Sequence, residues 1–149
     1  MNAKSIPGGT ITSAKGFLAG ATCAGLRTRD GLDLGILYSE VPCVAVGLFT
    51  TNRIKAAPVA LCQKHLVSRR GQAIVVNAGC ANACTGERGL EDAAEMANLA
   101  AARLGIAPED VLVASTGVIG TRLPIELISG SMDRVALSKE GGQDRKSVV

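Results

Sequence analysis

Three short stretches carry residue types that could do chemistry. The first is Val111 to Pro124, VLVASTGVIGTRLP, where an apolar run ends in Ser115-Thr116-Gly117 and a second glycine follows at Gly120. Acyl transfer develops negative charge on a carbonyl oxygen, and donors held about 2.7–3.1 Å from that oxygen lower the barrier. The Thr116 hydroxyl and the adjacent Gly117 N–H offer two convergent donors, and glycine lets a substrate approach the backbone closely. The same residues also suit a plain strand-to-helix turn, in which threonine caps and glycine permits unusual dihedrals. Local chemistry does not choose between the two.

The second stretch, GCANACTG, holds Cys80 and Cys84 with three residues between them. No second Cys/His pair completes a tetrahedral set, so they read as packed or loop thiols; a metal would need ligands from another chain. The single histidine, His65, sits in a lysine-bearing context and reads as solvated. The third stretch, GATCAGLR, spaces Gly20 and Gly25 like a phosphate loop. Leu26-Arg27 stands where Lys-Ser or Lys-Thr is required, so no lysine reaches a phosphate. Neither a G-x-S-x-G elbow nor a G-x-G-x-x-G fingerprint occurs.

The elements that must position these residues follow from apolar spacing. LDLGILYS (32–39) and CVAVGLFTT (43–51) read as two strands, and the short Glu40-Val41-Pro42 link permits an antiparallel pair. APVALCQKHLVS is ambiguous: Pro58 fits a helix start, yet Val59 and Leu61 also allow a strand. QAIVVNAG (72–79) has the continuous β-branched run of a strand buried on both faces. Leu90, Ala93, Ala94, Ala97, Ala100, Ala101 and Leu104 form one helical stripe. Glu91 and Asp92 complement its N-terminal dipole, Arg103 its C-terminal end, and Gly105 supplies a left-handed stop. A strand from Val111 to Ala114 follows, then a helix from Pro124 roughly to Leu137. The fold class is α/β, with a mixed sheet and helices packed on it.

Composition sets the remaining bounds. The 149 residues read as a single domain spanning 1–149, with a core of Ala, Val, Leu and Ile, because 47% are hydrophobic and only 2% aromatic. That aromatic poverty gives little support for base stacking. The net charge of +3 is dispersed apart from Arg69-Arg70 and the tail DRKSVV, which argues against a nucleic-acid footprint. No stretch approaches the roughly 18 apolar residues of a membrane helix, and the N-terminus has no secretory h-region. Its first residues, with Gly8-Gly9 after Pro7, read as an exposed arm leading to a turn. A cytoplasmic protein with reduced cysteines is expected.

Taken in order, GGTITSAKGFLAGATCAGLR, GLFTTNRIKAAPVALCQKHL, AIVVNAGCANACTGERGLEDA and VLVASTGVIGTRLP resemble consecutive landmarks of the ornithine acetyltransferase family. These are the bifunctional glutamate N-acetyltransferases of arginine biosynthesis, and the resemblance runs from about Ile6 to Leu127. It implies a precursor that cuts itself before a threonine, leaving an α chain associated with a β chain whose N-terminal threonine is the nucleophile. That threonine would carry acetyl from N2-acetylornithine to glutamate by a ping-pong route, without a cofactor or a metal. The family's oxyanion hole falls on Thr116 and Gly117.

The family's later motifs, Thr-Thr-Asp-Thr, Ala-Lys-Gly and the Asn-Met-Ala-Thr cleavage site, do not occur here. The sequence therefore reads as the N-terminal part of the α chain, expected to be inactive alone. No residue in it can be named as nucleophile and no substrate-binding residue transfers. The implied partners are the β chain, in an α–β hetero-oligomer, and the two small-molecule substrates. Two other readings stand beside this one: a related self-processing amidohydrolase or aminopeptidase, and a non-catalytic interaction domain pairing through an open sheet edge.

Overall fold

β-branched and other apolar residues at alternate positions build four strands: β1 Phe17–Thr22, β2 Leu34–Val44, β3 Arg70–Cys80 and β4 Val111–Val118. The computed structural model describes residues 6–27 and 31–140, so the basic tail and the first residues of the N-terminal arm lie outside it. The strands form one sheet in the order β1-β2-β3-β4. The first two pairings are antiparallel and β3–β4 is parallel, in register from Ala73–Val111 to Cys80–Val118. This mixed α/β sheet is the expected class.

Three helices connect and cover the strands: α1 Ala57–His65, α2 Gly86–Leu104 and α3 Ile125–Ser129. The ambiguous stretch is thus helical, with Pro58 in its first turn. The parallel pair β3–β4 needs a crossover, and α2 is that crossover. Val75, Val111 and Val113 pack with Met96, Ala97, Ala100 and Ala101 of α2, and Leu123, Ile128 and Val135 close the same core. Alanines along α2 bring its axis close to the sheet. Gly105 ends the helix in the left-handed conformation, φ 68°, as its position predicts.

Five expectations need correction. No second strand follows Ser39. β2 instead runs on through Pro42 to Val44, and the pairing slips between Tyr38 and Cys43, an irregularity that accommodates a residue without an N–H. Residues 45–51 form no regular element, and Val46 and Leu48 are exposed. β3 is buried on one face only: Ala73, Val75 and Asn77 are buried whereas Ile74 and Val76 are half-covered. Among the described residues the helices pack on one face of the sheet, which accounts for the asymmetry.

α2 begins at Gly86, earlier than its stripe indicated, so its first-turn acid is Glu87. Leu90 is exposed, and Asp92 is buried in the helix interior. The chain after Pro124 is not one long helix. α3 stops at Ser129, because Gly130 and Ser131 are weak helix formers and the Ser131 hydroxyl donates to the Leu127 carbonyl at 2.6 Å. The chain then makes a short 3₁₀ turn, Met132–Arg134, and Ser138 bridges Ala19 on β1. Finally, His65 is half-buried, with Nδ1 2.8 Å from the Val111 carbonyl oxygen, and is not a solvated residue.

Candidate active site

β3 and β4 end side by side, and an open cleft of about 390 Å³ lies at their C-terminal ends. Open α/β sheets place ligands at this end of parallel strands. Leu26, Arg27, Gly79, Thr116, Gly117 and Val118 line the cleft. Thr116 and Gly117 are both exposed there, so neither is spent on core packing. They lie within the last residues of β4 rather than in a turn beyond it.

Strand alternation decides where the backbone donors point. His65 Nδ1 bonds the Val111 carbonyl, and Cys62 Sγ exchanges bonds of 3.2 Å with both the N–H and the C=O of Val113, all on the outer edge of β4. The Val118 carbonyl faces β3 and accepts from Ala81 N at 2.9 Å. The same period of two sends the Gly117 N–H outward, away from β3. Thr116, one residue earlier, stands on the sheet face that the helices leave open.

Glycine is required where these strands end. Gly117 has φ 134° and its register partner Gly79 has φ 116°, both in the left-handed half of dihedral space. A Cβ on Gly117 would come within 2.6 Å of Cys80 N and overlap the Gly79 carbonyl. A Cβ on Gly79 would overlap the Leu26 carbonyl oxygen. Three backbone segments therefore stack at van der Waals contact: the loop after β1, the end of β3 and the end of β4.

A buried carboxylate holds the first of these segments. Asp33, 1% exposed, accepts N–H bonds from Ala24 at 2.5 Å, Leu26 at 2.7 Å and Arg27 at 3.1 Å. Its own carbonyl accepts the Ala78 N–H at 2.8 Å, which ties the loop to β3 one residue before Gly79. From sequence, GATCAGLR reads as a failed phosphate loop and as part of a family landmark, with Asp33 inside a strand. Gly20 in fact belongs to β1. A signal was available: an aspartate within the apolar run LDLGIL must be partnered if the strand is buried.

Asn77 supports the end of β3 from below, donating its side-chain N–H to the Cys80 carbonyl at 2.9 Å. Asn77 Oδ1 and the hydroxyl of Ser115, its register partner on β4, are buried without a hydrogen-bond partner. Of the cysteines singled out by spacing, Cys80 is buried against the Thr121 carbonyl at 3.3 Å, and Cys84 is exposed in the loop before α2. The structure does not bring them to the Thr116–Gly117 cleft. Asp92 anchors the chain beyond β4: its carboxylate lies 3.6 Å from Arg88 Nε and 4.0 Å from Arg122 Nε. Burial pushes its carboxyl above the usual range, against the pull of the two arginines.

Comparison with known proteins agrees with the order of landmarks in the sequence. A model of the ArgJ family matches residues 18–147. The "Arginine biosynthesis bifunctional protein ArgJ" of Dehalococcoides mccartyi is 50% identical over 141 residues, 93% of this chain and 35% of that protein. The protein of the same name from Symbiobacterium thermophilum is 48% identical over 145 residues, 95% of this chain and 36% of that one. The chain thus spans about a third of the length of these relatives.

Among solved structures, the bifunctional protein argJ of Bacillus halodurans superposes with a TM-score of 0.90 at 37% identity, over 96% of this chain and 76% of that one. The ornithine acetyltransferase of Mycobacterium tuberculosis, crystallised with ornithine, gives 0.89 at 35% identity, over 93% and 77%. No helix among the described residues is long and apolar enough to cross a membrane. Sequence landmarks, mixed sheet and superposition converge: the chain belongs to the ArgJ family, that of the ornithine acetyltransferases.

Proposed function

We propose that this chain is the N-terminal part of the α chain of a self-processing acetyltransferase, and that it supplies the oxyanion hole. The observation that carries the reading is the exposure of Thr116 and Gly117 together on one cleft, where strand alternation turns the Gly117 N–H away from β3. The names of the relatives and the ornithine in one of their structures support the substrate class.

In this reading the nucleophile is the N-terminal threonine of a β chain, with its own amine as base. Its oxygen attacks the acetyl carbonyl of N2-acetylornithine, and the carbonyl electrons move onto oxygen. The Thr116 O–H and Gly117 N–H stabilise that alkoxide more than the planar carbonyl before it, which lowers the barrier. Collapse expels the ornithine amine, which takes the proton, and leaves an acetyl ester on the threonine. The amine of glutamate then attacks the ester, and the second alkoxide in the same hole collapses with cleavage of the threonine C–O bond. The amine's proton passes to the threonine oxygen as N-acetylglutamate leaves. No cofactor takes part. The assembly is an α–β hetero-oligomer working in the cytoplasm.

The test uses the complete protein with its β chain. Thr116→Ala should lower kcat for acetyl transfer by about 10²–10³ with little change in KM, because the lost bond is made mainly in the transition state. Wild-type kcat in a folded Thr116→Ala protein removes Thr116 from the mechanism. Rapid release of free acetate without glutamate would instead identify a hydrolase.

A further inference from the structure

We propose that Arg27 is the anion subsite of the Thr116–Gly117 cleft and takes the α-carboxylate shared by the acetyl donor and the acceptor amino acid. The inference rests on the acetyl-transfer reading above and adds to it a recognition residue.

Among the described residues lining the cleft, Arg27 carries the one ionisable side chain, so what these residues contribute to the site is a positive charge. Its stem lies on the cleft floor: the Arg27 Cγ is 3.3 Å from where a Cβ on Gly79 would stand. Gly79 is the register partner of Gly117, on a strand about 4.8 Å away. The missing side chain at Gly79 thus admits the Arg27 stem to the cleft that Thr116 and Gly117 also line.

The backbone of Arg27 is held firmly. Its N–H donates to the Asp33 carboxylate, and the Asp33 carbonyl in turn holds Ala78, the neighbour of Gly79. A buried carboxylate that accepts three N–H groups of one loop fixes the backbone from which the Arg27 side chain starts, and that preorganisation lowers the cost of binding.

The substrate chemistry matches. In an N-acetyl amino acid only three covalent bonds separate the acetyl carbonyl carbon from the carboxylate carbon. A carbonyl seated on Thr116 and Gly117 therefore brings a carboxylate to the adjacent floor. Glutamate, attacking the acetyl ester with its α-amine, brings its own α-carboxylate to the same place. A guanidinium fork grips either one with two parallel charge-assisted hydrogen bonds. The specificity that follows is for acylated α-amino acids over acylated simple amines.

The experiment compares wild type, Arg27→Met and Arg27→Lys in the complete protein with its β chain. Methionine keeps an apolar stem on Gly79, and lysine keeps the charge without the fork. The substrates are N2-acetylornithine and its decarboxylated counterpart N-acetylputrescine, the latter read as substrate or as competitive inhibitor. Arg27→Met should lower kcat/KM for N2-acetylornithine about tenfold to a hundredfold, Arg27→Lys less, with N-acetylputrescine handled alike by all three. An unchanged kcat/KM for N2-acetylornithine, or an equal loss on both compounds, overturns the proposal. A folded wild type that transfers no acetyl overturns the acetyl-transfer reading and this one with it. An active wild type whose Arg27→Met variant keeps the wild-type preference for N2-acetylornithine over N-acetylputrescine overturns this one alone.

Discussion

Gly117 on β4 lies directly against the carbonyl of Gly79 on β3, and the fold leaves no volume for a side chain on either. Both residues also need the left-handed half of dihedral space. Alanine at either position must strain its own backbone, which costs about 1–3 kcal/mol, and must also push the two strand ends apart. Gly117→Ala should therefore lower both the urea midpoint and the kcat of the complete protein, because the displaced atom is the proposed oxyanion donor. A Gly117→Ala variant with wild-type kcat would separate this contact from the chemistry.

Asp33 should matter to stability more than its place in an apolar strand indicates. Asp33→Ala leaves the N–H groups of Ala24, Leu26 and Arg27 without their shared acceptor. A destabilisation of about 2–4 kcal/mol is expected, read by chemical denaturation, since charge-assisted bonds from buried donors are lost. Hydrogen exchange would then accelerate at Leu26 and Arg27 before it does in β3. A loss below about 0.5 kcal/mol would mean that the loop is held by something other than this carboxylate.

Asn77 and Ser115 are register partners with opposite expected sensitivities. Asn77→Ala removes the bond to the Cys80 carbonyl and empties volume at a fully buried site, for about 1–3 kcal/mol. Ser115→Ala removes a buried hydroxyl that has no partner, and should be neutral within about 0.5 kcal/mol or slightly stabilising. Thermal denaturation of the two variants side by side distinguishes them, and equal losses would contradict the hydrogen-bond assignment.

Asp92 makes stability depend on pH in an unusual direction for a carboxylate. Its burial raises its pKa in the folded state, with Arg88 and Arg122 opposing. A carboxyl that binds its proton more tightly when folded favours folding at low pH. That contribution is lost as pH rises from the ordinary value of about 3.9 through the folded value. Urea unfolding of wild type and Asp92→Asn from about pH 4 to 7 should therefore show wild type losing ground to the variant as pH increases. A flat difference would show that the arginines offset burial, and one that grows in favour of wild type that they outweigh it.

Local chemistry alone determined a good share of this protein. The β-branched run of β3, the apolar run that opens β4, the alanine stripe of α2 and its Gly105 stop are all consequences of side-chain size, branching and period, so they are legible one segment at a time. So is the pairing of a hydroxyl with a glycine at Thr116-Gly117. Ordered landmarks added the family, because several such segments in sequence are far more specific than any one.

Tertiary structure decided the rest. The parallel register that sets Gly79 against Gly117, the continuation of β2 through Pro42, and the Asp33 carboxylate that carries Arg27 to the cleft join residues distant in sequence. Packing and pairing energies at those junctions outweigh the local preferences that a single segment expresses. Pro42 reads locally as a break, yet the flanking ladder and an irregular register carry the strand past it. Arg27 reads locally as the residue that spoils a phosphate loop. Its environment, an uncharged cleft floored by a glycine from another strand, exists only once the sheet has closed.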